Sequence, residues 1–230
     1  MNSPWPIILL FALIVVTTVV LGSVAEKRRR KELAAFAGSA GFAFTRGEVH
    51  GHAEQLAGFT PFGVGRSRRA SNLIAGERGG ARWEMFDYRY TTGSGKNRRV
   101  NRFGVVVARV GLAFPRATLR PEGVFDSIAS LAGFGDIEFQ SETFSRRYHV
   151  SGEDRRRIYD LVHPGMTEYL LSLPAVHWQL GPGVVLLTRR GRYAADELRR
   201  ATEMIEGFLA RVPGYVRADL AGVPGGAARQ

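Results

Sequence analysis

Cysteine is absent from all 230 residues, and that absence removes several classes of function at once. No disulfide framework, no Cys-ligated zinc or iron–sulfur centre and no thiol nucleophile can be built from this chain. Lysine is scarce as well: Lys27, Lys31 and Lys96 are the only ones, so nearly every cation is an arginine. Such a skew, with abundant Ala, Gly and Val, follows from GC-rich codon usage without any demand for phosphate binding. Catalytic signatures are also missing. There is no Gly-x-Ser-x-Gly elbow, no His-Glu-x-x-His helix and no Gly-x-Gly-x-x-Gly fingerprint. Gly93-Ser94-Gly95-Lys96 has part of a phosphate loop, but Tyr90 stands where the first glycine is required and Asn97 where Ser or Thr is. It reads as a turn between two strands.

Charge is missing from Met1 to Ala25, and here the absence is informative in the other direction. Trp5 to Ala25 is almost wholly apolar and spans about 31 Å as a helix at ~1.5 Å per residue, close to the ~30 Å of a bilayer core. Trp5 suits one interface, and Lys27-Arg28-Arg29-Arg30-Lys31 suits the other. With no Lys or Arg before the span, the positive-inside rule places the following domain in the cytoplasm, making a single-pass cell-membrane protein. Ser23-Val24-Ala25 has the small-x-small form of a cleavage site. The missing basic n-region, and cations directly after that site, favour an anchor over a cleaved signal.

Over the whole chain the composition is ordinary for a globular protein: 45% hydrophobic and 23% charged residues. The foldable chain between the anchor and the tail, roughly 180 residues, suffices for a core without staples. The net charge of +11 splits into +3 between Glu26 and Glu32 and a remainder scattered in short clusters, such as Arg66, Arg68 and Arg69 or Arg155 to Arg157. That scatter does not predict a nucleic-acid partner.

The pattern predicts an α+β fold: a single N-terminal transmembrane helix, then a largely antiparallel sheet with flanking helices. We divide it into an anchor over 1–25, a basic juxtamembrane helix over 26–41, an antiparallel β-rich module over 42–135, an α+β module over 136–212 and a flexible tail over 213–230. In the first module Phe42 to Thr45, Ser71 to Glu77, Arg82 to Thr91 and Arg99 to Val110 read as strands, with a tight turn at Gly79-Gly80. Thr118-Leu119-Arg120 reads as an edge strand, and Pro121 opens a helix bearing Val124, Phe125, Ile128 and Leu131. In the second, Phe144 to Val150 reads as a strand and Ser151 as a helix cap. Val176 to Leu180 and Val184 to Thr188 form a hairpin across Gly181-Pro182-Gly183, and a last helix runs from about Ala194 to Arg211.

The stretch Asp136-Ile137-Glu138-Phe139, Phe144 to Val150, Gly152-Glu153-Asp154 and Leu161 to Met166 resembles the C-terminal half of a bacterial membrane-anchored family known only as a domain of unknown function. The resemblance covers about a third of the chain. It implies membrane attachment and no known activity, and it offers no functional residues to carry over; no cofactor is expected from the sequence.

Three sets of residues are candidates for function. His50, His52 and Glu54 could share one face of an extended segment and hold zinc or copper; the bland alternative is a solvated, glycine-flanked loop. Lys27 to Lys31 are positioned for anionic headgroups. Trp83, Tyr88, Tyr90, Arg98 and Arg102 interleave aromatic and basic side chains, as an interaction face does and as any cross-strand ladder does. His149, His163 and His177 are scattered. The expectation is a membrane-anchored, non-catalytic protein-interaction or scaffold module with an unknown protein partner. The alternatives are an anionic lipid- or nucleic-acid-binding domain, and a metal-dependent enzyme at His50, His52 and Glu54.

Overall fold

The computed structural model describes residues 5–121 and 135–222. The apolar run and the basic run belong to one unbroken helix, α1 (Trp5–Ser39), of 35 residues. The 18-residue window that qualifies it to cross a membrane has no buried residue. Its last turns are different. Leu33, Phe36 and Ala37, at the i, i+3, i+4 spacing of one helical face, are buried in the domain core. Gly41, at φ 73°, then reverses the chain, and the Phe42 N–H closes onto the Ala37 carbonyl at 2.8 Å.

The strands are β1 (Ala43–Val49), β2 (Arg66–Arg78), β3 (Ala81–Thr92), β4 (Arg99–Pro121), β5 (Tyr148–Gly152) and β6 (His177–Arg190). They form one antiparallel sheet in the order β1-β2-β3-β4-β5, with β6 paired along β4. Gly79 and Gly80, at φ 60° and 74°, make the two-residue β2–β3 hairpin that only residues free to adopt positive φ can close. The helices are α2 (Glu142–Arg147), α3 (Arg155–Leu161), α4 (Pro164–Ser172), α5 (Ala195–Ala210) and α6 (Gly214–Ala221).

The predicted turn at Gly181-Pro182-Gly183 lies inside β6 and still reverses the chain. His177 Nδ1 and Thr188 Oγ1 meet at 3.0 Å although 11 residues separate them. Extended strand would hold them roughly 36 Å apart. β4 bends around this turn: Arg109 faces Val184, Ala113 faces Pro182 and Ala117 faces Leu180, with register shifts between. The first arm of β4 also pairs with β3 and its second arm with β5. Thr118-Leu119-Arg120 is therefore not an edge strand, because partners flank it on both sides. Since β5 and β6 pair with β4, the segments 42–135 and 136–212 share one sheet.

Other expectations change as well. Phe144 to Arg147 is helical because Ser141 Oγ accepts from the Phe144 N–H at 3.3 Å, which starts α2 and leaves only Tyr148–Gly152 extended. Asp154, not Ser151, caps α3, accepting from the Arg157 N–H at 3.0 Å, while Ser151 pairs with Thr118 inside the sheet. Within 213–230, residues Gly214–Ala221 are α6, which buries Val216 and Leu220. Pro121, expected to open a helix, is instead the last residue of β4, and the rest of that expected helix, through Leu131, lies outside the described residues.

Both faces of β3 are covered, as expected of a central strand whose side chains alternate. On one face Trp83 and Met85 join Leu33, Phe36, Ile205 and Phe208 beneath α1 and α5. On the other, Phe86, Tyr88 and Tyr90 join Leu56 and Phe62 from the 50–65 loop. Gln179 fastens that loop: its side chain accepts from the Thr60 N–H at 2.8 Å and donates to the Thr60 carbonyl at 2.6 Å.

Candidate functional site

The helix that carries the apolar span is bolted to the sheet by one carboxylate. Asp87 on β3 projects from the helix-covered face and accepts from the two terminal guanidinium nitrogens of Arg29, each at 2.8 Å, a bidentate pair. Only 17% of the Arg29 and 12% of the Asp87 side chain is exposed. Asn72 adds a third donor at 2.9 Å, from a position in β2 where φ is 55° and the ladder shifts register. Arg29 also donates to the Tyr193 carbonyl at 3.0 Å, which draws the segment between β6 and α5 into the same joint. Gly104 makes room for it: a Cβ there would stand 2.4 Å from the Tyr193 ring. One turn before Arg29, Glu26 pairs with Arg30 at 2.9 Å and Arg192 at 2.7 Å. Burial pushes the Glu26 carboxyl up, but the Arg192 hydrogen bond, with the charges of Arg192, Arg30 and Arg29, holds it below the ordinary carboxylate range.

Beside this joint the strands end in cations. β2 begins with Arg66, Arg68 and Arg69, β3 closes after Arg89, β4 begins with Arg99 and Arg102, and β6 ends at Arg189 and Arg190. The register places all of these at one end of the sheet: Arg66 faces Thr91, Arg99 faces Thr92, and Arg190 faces Phe103. Charge that is scattered along the sequence is thus gathered where the anchor leaves the domain. Between the strand ends and α1 lies a cavity of about 280 Å³, lined by Glu26, Arg30, Arg69, Asp87, Arg89, Arg102 and Arg192 among others.

The residues singled out from sequence fare unequally. His50 and Glu54 are exposed, whereas His52 turns to the buried carboxylate of Glu84, with Nδ1 at 3.2 Å. The proposed three ligands do not converge, and among the described residues no group of three His, Cys, Asp or Glu could hold a metal ion. Trp83, Tyr88 and Tyr90 are at most 2% exposed, so the aromatic half of the expected interaction face is core, leaving Arg98 and Arg102 at the surface. Burial pushes the Tyr88 hydroxyl up to about 12. Of the basic run, Lys27, Arg28 and Lys31 are exposed, while Arg29 and Arg30 turn inward to pair with Asp87 and Glu26. The Asp87 carboxylate was missed because its partner lies 58 residues away in sequence.

No family model matches the chain, nor does any curated protein, so the likeness to an uncharacterised anchored family finds no support there. Among solved structures the fold is similar to that of the mycobacterial trehalose monomycolate transport factor A, TtfA. The TM-score is 0.57 at 12% identity, over 80% of this chain and 96% of that one. At such identity the likeness is one of fold.

Proposed function

We propose that this chain is a membrane-anchored, non-catalytic module whose folded domain is mounted rigidly on the cytoplasmic face as a protein-interaction platform. The observation that carries this reading is the continuity of α1. The helix passes from its apolar span into the core without a linker, and Arg29, held by Asp87, locks it there. A flexible tether raises local concentration only; a rigid mount also dictates which surface faces a neighbour in the same membrane. The partner class we favour is a membrane-embedded transport assembly, a reading supported by the fold shared with the transport factor TtfA. The run of cations directly after the span favours the cytoplasmic side.

Orientation is tested with Ser94→Cys, the sole thiol, and a membrane-impermeant maleimide on intact and lysed cells. Labelling only after lysis is expected, and labelling of intact cells would place the domain outside. The rigid mount is tested by inserting a Gly-Ser linker between Ala25 and Glu26 in a chain carrying a photo-crosslinking residue at the exposed position Val100. The expected result is loss of crosslinks to membrane proteins with the domain still folded. Undiminished crosslinking would eliminate the rigid-mount reading.

A further inference from the structure

The helix-covered face of the sheet carries a charge arrangement that the fold alone does not explain. Arg89 on β3 faces Arg69 on β2 and Arg102 on β4, so three guanidinium groups occupy one cross-strand row. Like charges directly opposite one another destabilise a sheet. Arg69 is relieved by Glu48 at 3.2 Å. Arg89 and Arg102 have no carboxylate partner among the described residues, and both are exposed. The acids that share their cavity are engaged elsewhere: Glu26 by Arg30 and Arg192, Glu48 by Arg69, Asp87 by Arg29. The cavity therefore offers open cationic donors and no free anion.

Its depth relative to the anchor points to the ligand. Arg29 and Asp87 are in contact, and both elements run on from there in the same direction, since Leu33, Phe36 and Ala37 share a core with Trp83 and Met85 on the other side of that contact. Two residues further along β3 is Arg89, about 7 Å on. Four residues back along α1 is Ala25, about 6 Å on and the last residue of the charge-free run. The arginine row thus stands level with the point where the apolar span ends, which is where headgroups begin.

We infer that Arg89 and Arg102, within the cavity beside α1, bind the phosphate of an anionic phospholipid headgroup. The guanidinium fork matches two phosphate oxygens, and a bound diester anion would relieve the repulsion along the row. The small volume, about 280 Å³, suits a headgroup. The inference rests on the membrane-anchor reading proposed above, and the two can fail separately.

The full chain, purified in uncharged detergent micelles, is titrated with short-chain phosphatidylglycerol, short-chain phosphatidylcholine or inorganic phosphate, with retained lipid counted by native mass spectrometry. Phosphatidylglycerol is expected to bind at least tenfold more tightly than phosphatidylcholine. Arg89→Gln with Arg102→Gln is expected to lose tenfold or more. Arg155→Gln with Arg156→Gln, an equal loss of charge on α3 beyond the other end of the sheet, is expected to lose less than threefold. Equal losses in both variants, or no preference between the lipids, would overturn the site. Inorganic phosphate displacing the lipid at equal concentration would overturn the lipid as its source. In lipid-free micelles the Arg89→Gln, Arg102→Gln chain should melt no lower than the parent, because repulsion is removed; a lower melting temperature would assign the pair a structural role instead. Carbonate extraction of the full chain from membranes reads the anchor independently: release refutes the anchor, while retention with no effect of the double substitution refutes only the site.

Discussion

Glu84 and Asp87 stand near one another on β3, point to opposite faces, and each holds an arginine. Glu84 lies under the 50–65 loop, 1% exposed, with Arg109 Nε and His52 Nδ1 each at 3.2 Å. Arg109 also donates to Gln55 at 3.0 Å, so the network closes on the loop. Asp87 lies under α1 and holds Arg29 with equal economy, yet the row that follows it on the same face is Arg69, Arg89 and Arg102. One carboxylate fastens a loop over a finished core. The other fastens the tether beside open positive charge. The same local device thus serves architecture on one face and borders a binding surface on the other, and the surplus of cations is what separates them.

The contrast is tested most strongly at Asp87. Replacing it with alanine leaves the Arg29 guanidinium largely buried and uncompensated, an arrangement that typically costs about 3 kcal/mol or more. Denaturant unfolding of the full chain in micelles, followed through the near-UV signal of the buried Trp83 and Trp178, should register that loss. A change below ~1 kcal/mol would mean that the apolar stripe of Leu33, Phe36 and Ala37 mounts the helix without the ion pair.

Glu84→Gln should cost less, about 1–2 kcal/mol near neutral pH, because an amide still fills the space and keeps one acceptor. Here the pH dependence discriminates. Burial pushes the Glu84 carboxyl up, but hydrogen bonds from Arg109 and His52 and their charge more than offset this, holding it below the ordinary 4.5. A carboxyl depressed in the fold contributes stability that is present above the unfolded value and is lost as pH falls through the lower folded one. The gap between parent and Glu84→Gln should therefore be full at pH 7 and shrink below about pH 4.5. A gap independent of pH would show that Glu84 acts through packing alone.

How much of this was legible beforehand follows from the range of the interactions concerned. The hairpin at Gly79-Gly80 and the reversal at Gly181-Pro182-Gly183 are written in adjacent residues, as is α5, whose ends fall within a residue of the expected ones. The charge-free run announces an apolar helix for the same reason. The aromatic strand misled because Tyr88 and Tyr90 look alike whether solvent or the 50–65 loop covers them, and no local pattern records the loop's path. Arg29 likewise resembles its neighbours in a basic run until Asp87 is placed beside it.

That last point supplies the smallest expected effect. Arg28 and Arg29 are adjacent and chemically identical, but Arg28 pairs with Glu32 one turn away, with 82% and 50% of the two side chains exposed. Water already solvates both ions, and holding two long side chains in one geometry costs rotamer entropy, so such a pair is worth about 0.5 kcal/mol at most. Arg28→Ala should therefore leave the unfolding midpoint within error of the parent, and any residual difference should vanish in high salt. Arg29→Ala should shift it clearly and keep that shift in salt, since the buried Asp87 carboxylate is left without its partner. If the two substitutions proved equal, the basic run would be acting as undifferentiated charge, and the distinction between the cations that build the joint and those that remain at the surface would collapse.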